Sequence, residues 1–445
     1  MEEVGRNENS FRLSSVPLDW RFVFWQVTLI AGVLLFQGAV TGTFLSLAML
    51  LLWKRWADWR EAVVALFIVA CVLASSRDGG LQYWKMLRLG FAGLVFIEAI
   101  RTLRELPLEM RRGSLTFTAL VAVCTGIPAL LSSHVMDGLE EMVLLSSMWG
   151  AMLVLGRTYD GEATARRFRT VVHVGIIVAM VSVVVRYWDF ELGHLDDRFR
   201  GIFGNPNELS HWWLSLAVLG LVASEKVSQP RTLFLIAITL LFYFWSGTRG
   251  AVVAFLVSLG GWFVLSIPKS VLSQMFKVVL VGAGMLMLTA TSTDVIFDFL
   301  PERVVRVESL QQGGGRILAW EHALEQIQLY PWLGAGGAAE ERYFNGNYSF
   351  FASQNHQGLS HNSWLAFAMN FGIPATLVLF WLLLSRLGLT RRSLFIVGAL
   401  PLIFSFTVEG WLTAPMSASS PMLFFVGGLM ASLMDAPRQT QQTDN

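Results

Sequence analysis

The chain has 445 residues, of which 54% are hydrophobic and only 15% are charged, and its formal net charge is +1. An ordinary soluble domain carries about 25% charged residues. With a mean hydropathy of +0.55, the composition excludes a soluble enzyme, a disordered chain and a disulfide-stapled secreted domain. Cys71 and Cys124 both lie in apolar runs without a metal-ligand spacing, so neither redox chemistry nor structural zinc is expected.

Apolar segments recur along the chain at the length that a spanning helix needs, roughly 20 residues. Residues 1–21 precede them as a polar tail with no features of a cleavable leader. Fourteen candidate spans are found, and the first two share one apolar run. In chain order, the fourteen candidates are 22–37, 38–53, 62–76, 82–100, 115–132, 139–156, 170–187, 209–224, 232–246, 250–267, 276–292, 361–384, 394–412 and 419–434. The sequence therefore predicts an all-α, polytopic membrane helix bundle.

The basic residues support this segmentation independently. About two thirds of them fall in alternate loops, as cytoplasmic loops do. Both termini are therefore expected in the cytoplasm. The remaining basic residues, all but one of them arginines, mostly lie at outer helix ends in the second half of the chain. The domain organisation expected from this pattern is a tail 1–21, a scaffold 22–190, a transmembrane domain 191–434 with an outer loop 293–360, and a tail 435–445.

The outer loop 293–360 has internal organisation. Apolar residues at helical spacing predict a helix from Arg316 that ends before Pro331 and lies against the membrane surface. A flexible piece with several aromatic rings is expected from Gly334 to Ser360. Exposed rings suit sugar stacking, but we interpret most of them as part of an interfacial aromatic belt.

A second outer segment runs from Arg198 to Glu208. Its glycines allow a close turn, and Asn207 with Glu208 is expected to begin the next helix. A helix N-terminus beside the guanidinium groups of Arg198 and Arg200 is a candidate anion site, and Arg is well suited to phosphate. Lipid head-group contact is the alternative for Arg198. His211 follows Asn207 by four residues and shares its helix face.

Two further short motifs carry ionisable groups near the outer surface. Arg249 lies in a tight turn between two apolar spans, which marks a functional group by default, although pairing with Glu409 is the alternative. His361 lies where the chain re-enters the membrane, and its side chain suits general base catalysis near neutrality. A cap or interface role is the alternative for His361, and His211 and His356 are competing candidates for the base.

The order and placement of these motifs, over roughly residues 195–415, resemble bacterial O-antigen ligases. The motifs that carry the resemblance are the Arg198–Glu208 segment, the Ser246–Gly250 turn, the Arg316–Gly336 stretch and the His361–Leu365 re-entry. The resemblance implies a GT-C type glycosyltransferase at the periplasmic face of the bacterial inner membrane. Such ligases are usually drawn with twelve spans, so 12 to 14 spans are expected here. It also implies a glycan donor on undecaprenyl diphosphate and an acceptor sugar hydroxyl on the lipid A core. The first 190 residues are expected to add only scaffold.

By the same resemblance, Arg200 and Arg249 would grip the diphosphate, with Arg316 as a helper, and His361 would take or orient the acceptor proton. Further substrate-binding candidates are Arg198, Asn205, Asn207, His211 and Asn362. Membrane lipid is an expected partner, whereas a cofactor, a metal ion and nucleic acid are not. Metal is disfavoured because arginines outnumber the outer acids, and Asp196 and Asp197 are expected to balance Arg198 and Arg200.

Two alternatives remain open at this point. A polymerase that joins two lipid-linked glycans would carry the same motifs, and it would need additional outer arginines such as Arg186, Arg303 or Arg306. A transporter or flippase is a different class. Transporters commonly contain repeated halves and midplane charges, whereas this chain has no evident internal repeat and most of its ionisable groups stand at span ends.

Overall fold

The computed structural model is almost entirely helical, which confirms the predicted all-α class. It describes residues 20–35, 48–49, 58–75, 82–158, 161–188, 193–195, 198–222, 230–266, 316–353, 359–386, 402, 405, 407, 409–414, 416–417 and 419–439. Within these ranges, the strands are β1 (His194–Leu195) and β2 (Arg198–Phe199), which form a two-residue antiparallel hairpin.

The described helices coincide with predicted spans over most of their length, but α4 begins seven residues and α6 nine residues before the predicted starts. They are α1 (Trp20–Leu35), α2 (Trp59–Ser75), α3 (Gln82–Glu105), α4 (Leu108–Leu131), α5 (Val135–Gly156), α6 (Gly161–Trp188), α7 (Pro206–Val222), α8 (Pro230–Ser246), α9 (Arg249–Ser266), α10 (Arg316–Leu329), α11 (Ala339–Gly346), α12 (Tyr348–Ser353), α13 (Ser363–Arg386) and α14 (Ser419–Gln439). The predicted span 276–292 and most of 38–53 and 394–412 lie outside the described residues.

Four of these helices, α4, α5, α6 and α13, are long and apolar enough to cross a membrane. Shorter apolar stretches occur in α1, α8, α9 and α14. Such helices satisfy their backbone groups internally, as a bilayer requires. The polytopic membrane architecture is therefore confirmed, whereas the total of 12 to 14 spans stays a prediction.

The C-terminal helix α14 lies at the centre of the described bundle, where it packs against α5, α6 and α7. The Trp149 ring stacks on Phe424 with centroids 4.5 Å apart. Gly156 and Gly428 let the backbones approach so closely that a Cβ on Gly428 would lie 2.4 Å from the Leu153 carbonyl oxygen. Small residues give membrane helices this close packing. The backbone of α14 therefore lies directly against that of α5.

The start of α7 differs from the expected one. The helix begins at Pro206, and the Asn205 side-chain oxygen accepts a hydrogen bond of 2.9 Å from the Glu208 backbone N–H. Asn205 is therefore the capping residue, and proline suits the first helical position because no N–H is needed there. The prediction that Asn207 and Glu208 begin the helix was wrong by one residue.

The helix predicted from Arg316 is confirmed as α10, but the flexible piece expected from Gly334 to Ser360 is wrong, because it contains α11 and α12. The reason is burial. Phe344 and Phe351 pack with ring centroids 4.8 Å apart, in a small core with α10 and α13. The belt interpretation is thus wrong for these two rings, although Tyr348 and Phe350 are exposed.

Helix α13 is broken near its middle, at Gly372, where φ is +82°. The chain after α10 docks on this break through backbone hydrogen bonds, from Ala335 N–H to the Met369 carbonyl at 2.8 Å and from Ile373 N–H to the Pro331 carbonyl at 2.9 Å. The bonds satisfy polar backbone groups that the break frees. The break therefore fixes residues 331–336 against the first half of α13, which begins two residues after His361.

Candidate functional site

Several of the predicted site residues converge on Glu409. Arg316 Nη2 donates to Glu409 Oε1 at 2.7 Å, and Asn207 Nδ2 donates to the same oxygen at 2.8 Å. His361 Nδ1 lies 3.7 Å from Glu409 Oε2. With Arg198, which binds Asn207, these residues form what we call the Glu409 cluster.

Arg198 connects this cluster to the turn between α8 and α9. Its Nη2 donates to Asn207 Oδ1 at 2.7 Å and to Thr248 Oγ1 at 3.1 Å, while its Nε donates to the Ser246 carbonyl at 2.7 Å. The guanidinium group is therefore fixed by hydrogen bonds from two of its nitrogen atoms. All four sequence motifs therefore meet at the cluster, namely the Arg198–Glu208 segment, the Ser246–Gly250 turn, the Arg316–Gly336 stretch and the His361 re-entry.

His361 has an unusual backbone conformation, with φ at +51°. A non-glycine residue in the left-handed region is strained and is held there by its neighbours. Asn362 caps α13, since its Oδ1 accepts from the N–H groups of Trp364 at 2.9 Å and Leu365 at 3.2 Å. Ser363 Oγ donates to the Glu409 backbone carbonyl at 2.8 Å. The histidine thus lies in a fixed turn against the Glu409 segment.

The cluster combines a shielded acid with accessible basic groups. The Glu409 side chain is 12% exposed, whereas those of Arg316 and His361 are 31% and 33% exposed. Two guanidinium groups, Arg198 and Arg316, stand against this one carboxylate within the cluster. Planar guanidinium groups beside solvent suit an anionic ligand such as phosphate.

His211 lies beside the cluster on the same face of α7 as Asn207, as their spacing of four residues predicts. Its Nδ1 lies 2.6 Å from Ser405 Oγ, and the side chain is fully buried. Asn207 and His211 therefore contact Glu409 and Ser405, which are four positions apart in the chain. His211 therefore contacts the chain four residues before Glu409 and is buried away from solvent.

The other predicted residues are placed differently. Arg200 is buried, and its Nη1 donates to the Gly204 carbonyl within the turn before α7 at 3.4 Å. Asn205 and Asn362 use their side-chain oxygens as helix caps. Arg249 begins α9, but its side chain lies outside the described residues. The substrate contacts assigned to these four residues stay predictions.

Glu409 is the residue that sequence reasoning underrated. The sequence suggests Glu409 as a partner for Arg249, a pairing that stays a prediction because the Arg249 side chain lies outside the described residues. The described side-chain partners of Glu409 are Arg316, Asn207 and His361. The available signal was an acid near the end of an apolar span, because an unpaired charge there costs free energy.

Glu340 had no comparable signal, because it belongs to a polar loop where acids are common. Burial raises the pKa of the Glu340 carboxyl, and hydrogen bonds from Ser360 oppose that shift.

No group of three or more histidine, cysteine, aspartate or glutamate residues is arranged to hold a metal ion within the described ranges. Asp196 and Asp197 lie outside those ranges, so their expected balance with Arg198 and Arg200 stays untested. A divalent ion bound to diphosphate would need oxygen ligands, chiefly from carboxylates. Among the residues of the cluster, Glu409 is the one that carries a carboxylate.

The fold and the site together define a class of protein. It is a polytopic, all-α membrane protein with a basic cluster around one shielded carboxylate. Residues 234–380 match the family model of the O-antigen ligases, which confirms the expected resemblance for this stretch. The match supports a glycosyltransferase-like enzyme at superfamily level and includes Arg249, Arg316 and His361. No curated protein matches the chain.

Proposed function

We propose that the protein is an O-antigen ligase-type glycosyltransferase of the bacterial inner membrane, with residues 191–434 as its catalytic domain and both termini in the cytoplasm. It transfers a glycan from undecaprenyl diphosphate to a sugar hydroxyl of the lipid A core, at the periplasmic face and without a metal ion. The observation that carries this proposal is the convergence of Arg316, His361 and Asn207 on Glu409.

The reaction needs one base and stabilisation of one leaving group. The acceptor hydroxyl oxygen attacks the anomeric carbon of the donor sugar, and the bond from that carbon to the diphosphate oxygen breaks. The electron pair leaves with the diphosphate, and the hydroxyl proton goes to the His361 imidazole. Because His361 Nδ1 faces Glu409, the carboxylate orients the ring and stabilises the imidazolium that forms.

The arginines supply the charge that the leaving diphosphate requires. Fixed guanidinium groups stabilise negative charge as it develops, and they need no reorganisation during the reaction. Arg316 and Arg198 are held by Glu409, Asn207 and the Ser246 carbonyl. Arg200 and Arg249 are proposed to complete the grip on the diphosphate, as the resemblance implies.

The direct test is transfer by purified protein from a polyprenyl-diphosphate glycan to core lipopolysaccharide. We expect His361→Ala to lower the rate on the order of 10²- to 10⁴-fold, the usual contribution of a general base. The matched control is His134→Ala, because His134 is an exposed histidine in the turn between α4 and α5. A folded His361→Ala variant that transfers glycan at the wild-type rate would contradict the proposal.

The same assay separates the related functions. Transfer to core lipopolysaccharide supports the ligase, whereas joining of two lipid-linked glycans without that acceptor would make the protein a polymerase. In cells, loss of the protein should then leave long lipid-linked chains for a ligase and single repeat units for a polymerase. Movement of the lipid-linked glycan across a reconstituted membrane with no covalent transfer would indicate a flippase.

A further inference from the structure

Two carboxylates outside the Glu409 cluster, one partly buried and one fully buried, link α5 to the chain around His361. The first is Glu141 on α5. Its Oε1 accepts from Asn370 Nδ2 at 3.0 Å, and its Oε2 accepts from the Ala338 backbone N–H at 2.7 Å. Ala338 immediately precedes α11 and has a left-handed φ of +56°. Glu141 therefore fixes both the break region of α13 and the start of α11.

The second carboxylate is Glu340, in the first turn of α11. Its backbone N–H donates to Asn370 Oδ1 at 3.0 Å, so Asn370 joins the two acids. Its Oε1 accepts two hydrogen bonds from Ser360, one from the backbone N–H at 2.9 Å and one from the hydroxyl at 2.5 Å. Only 3% of Glu340 is exposed. One buried oxygen thus holds the residue that precedes His361.

Ser360 is held from its other side as well. Its carbonyl accepts a hydrogen bond of 2.8 Å from Trp320 Nε1 on α10. All three polar groups of Ser360 therefore have protein partners. Since His361 occupies a strained left-handed conformation, it keeps that conformation only if its neighbours fix the chain on both sides. The fixed points are Ser360 before it and the α13 cap at Asn362 after it.

We propose that Glu340 is a positioning residue, whose Oε1 anchors Ser360 and thereby holds the His361 imidazole toward Glu409. Glu340 acts through Ser360 and does not touch the substrate. Through Asn370 and Glu141, the anchor is tied to α5, so the first 190 residues do more than provide membrane scaffold. The catalytic consequence rests on the proposed function, whereas the placement of His361 does not.

The kinetic test compares Glu340→Ala with Glu340→Gln in the transfer assay. The glutamine carbonyl can accept both Ser360 hydrogen bonds, whereas alanine accepts neither. We expect Glu340→Ala to lower kcat on the order of 10- to 100-fold with little change in the donor KM, as loss of an orienting partner does. Glu340→Gln should restore most of that rate. Glu341→Ala is the matched control, because Glu341 is the exposed glutamate next along α11.

A second measurement does not depend on transfer activity. Diethyl pyrocarbonate modifies accessible imidazoles, and mass spectrometry of the peptide that contains His361 reports its rate of modification. We expect Glu340→Ala to change this rate by a factor of several, with Glu340→Gln and Glu341→Ala close to wild type. If Glu340→Ala does not accumulate as folded protein, Ser360→Ala replaces it, with a smaller expected loss of kcat because only the hydroxyl donor is removed.

The outcomes separate this proposal from the proposed function. Unchanged kcat and unchanged His361 modification in folded Glu340→Ala, or wild-type kcat in its replacement Ser360→Ala, would overturn the positioning role. A Glu340→Gln variant as impaired as Glu340→Ala would also overturn it, because an acceptor oxygen would then be insufficient. If wild-type protein fails to transfer glycan but Glu340→Ala still alters His361 modification, the proposed function fails and the positioning role stands.

Discussion

At the scale of single residues, Glu409 organises the candidate site. Its Oε1 accepts hydrogen bonds from both Arg316 and Asn207, while its Oε2 faces His361. A carboxylate at this point does two things at once. It accepts a charge-assisted hydrogen bond from the Arg316 guanidinium, and it faces the imidazole ring of His361. The charge of Glu409 therefore matters as well as its shape.

Glu409→Gln separates charge from shape. The amide oxygen can still accept hydrogen bonds, but it cannot stabilise an imidazolium, so we expect the transfer rate to fall on the order of 10²-fold or more. The measurement is kcat for glycan transfer, with folded amount as a check. Glu321→Gln is the control, because Glu321 is an exposed acid on α10. Equal rates for Glu409→Gln and wild type would remove the carboxylate from the mechanism.

At the scale of elements, the break in α13 positions the site. Gly334 lies against the backbone of α13 at Asn370, and Gly372 lies against the backbone of the docked segment at Trp332. Their φ angles are +66° and +82°. A Cβ on Gly334 would lie 2.5 Å from the Asn370 carbonyl carbon, so the close backbone approach requires glycine there. The docked segment then leads into α11, whose first turn carries Glu340.

Gly334→Ala should disturb this docking. Both the positive φ and the backbone clash oppose a side chain, and we expect a destabilisation of roughly 1–3 kcal/mol. Thermal unfolding in detergent measures the effect, and limited proteolysis should show faster cleavage after α10. Gly346→Ala is the control, because nothing lies within 4 Å of a Cβ at that position. A Gly334→Ala protein as stable as the control would show that the docking tolerates a side chain.

At the scale of the whole molecule, the bundle brings together residues that are far apart in the chain. Asn207 and Glu409 are separated by 202 positions, and Arg316 and Glu409 by 93. Contacts of α14 with α5, α6 and α7 join the N-terminal helices to the segment of the chain that carries Glu409. Within the described residues, the site thus depends on contacts across most of the bundle.

Whether glycan transfer needs a metal ion depends on all the charged groups that the bundle brings together. If guanidinium groups stabilise the leaving diphosphate, no divalent ion is needed to balance its charge. We expect purified protein to transfer glycan at an unchanged rate after treatment with excess chelator. The measurement is the initial rate with and without chelator, and then with added Mg²⁺. Loss of activity that Mg²⁺ restores would contradict the proposed mechanism.

Local patterns in the sequence determined the fold class and the helices. Apolar length predicts α4, α5, α6 and α13 because burial in a bilayer requires about 20 apolar residues, whatever the rest of the chain does. Helical spacing from Arg316 to Pro331 likewise predicts α10. The motifs around Arg198, Arg249, Arg316 and His361 were also recognisable, because Arg and His are uncommon at such positions without a function.

Only the tertiary structure decided which groups act together. The partners of Glu409 come from distant segments, and hydrogen bonds between distant segments leave no periodic pattern in the sequence. The same holds for Glu340, which is chemically ordinary until packing buries it against Ser360. Burial also turned an expected flexible loop into α11 and α12. Sequence specifies helices through local spacing, whereas the site is specified by packing that no short stretch contains.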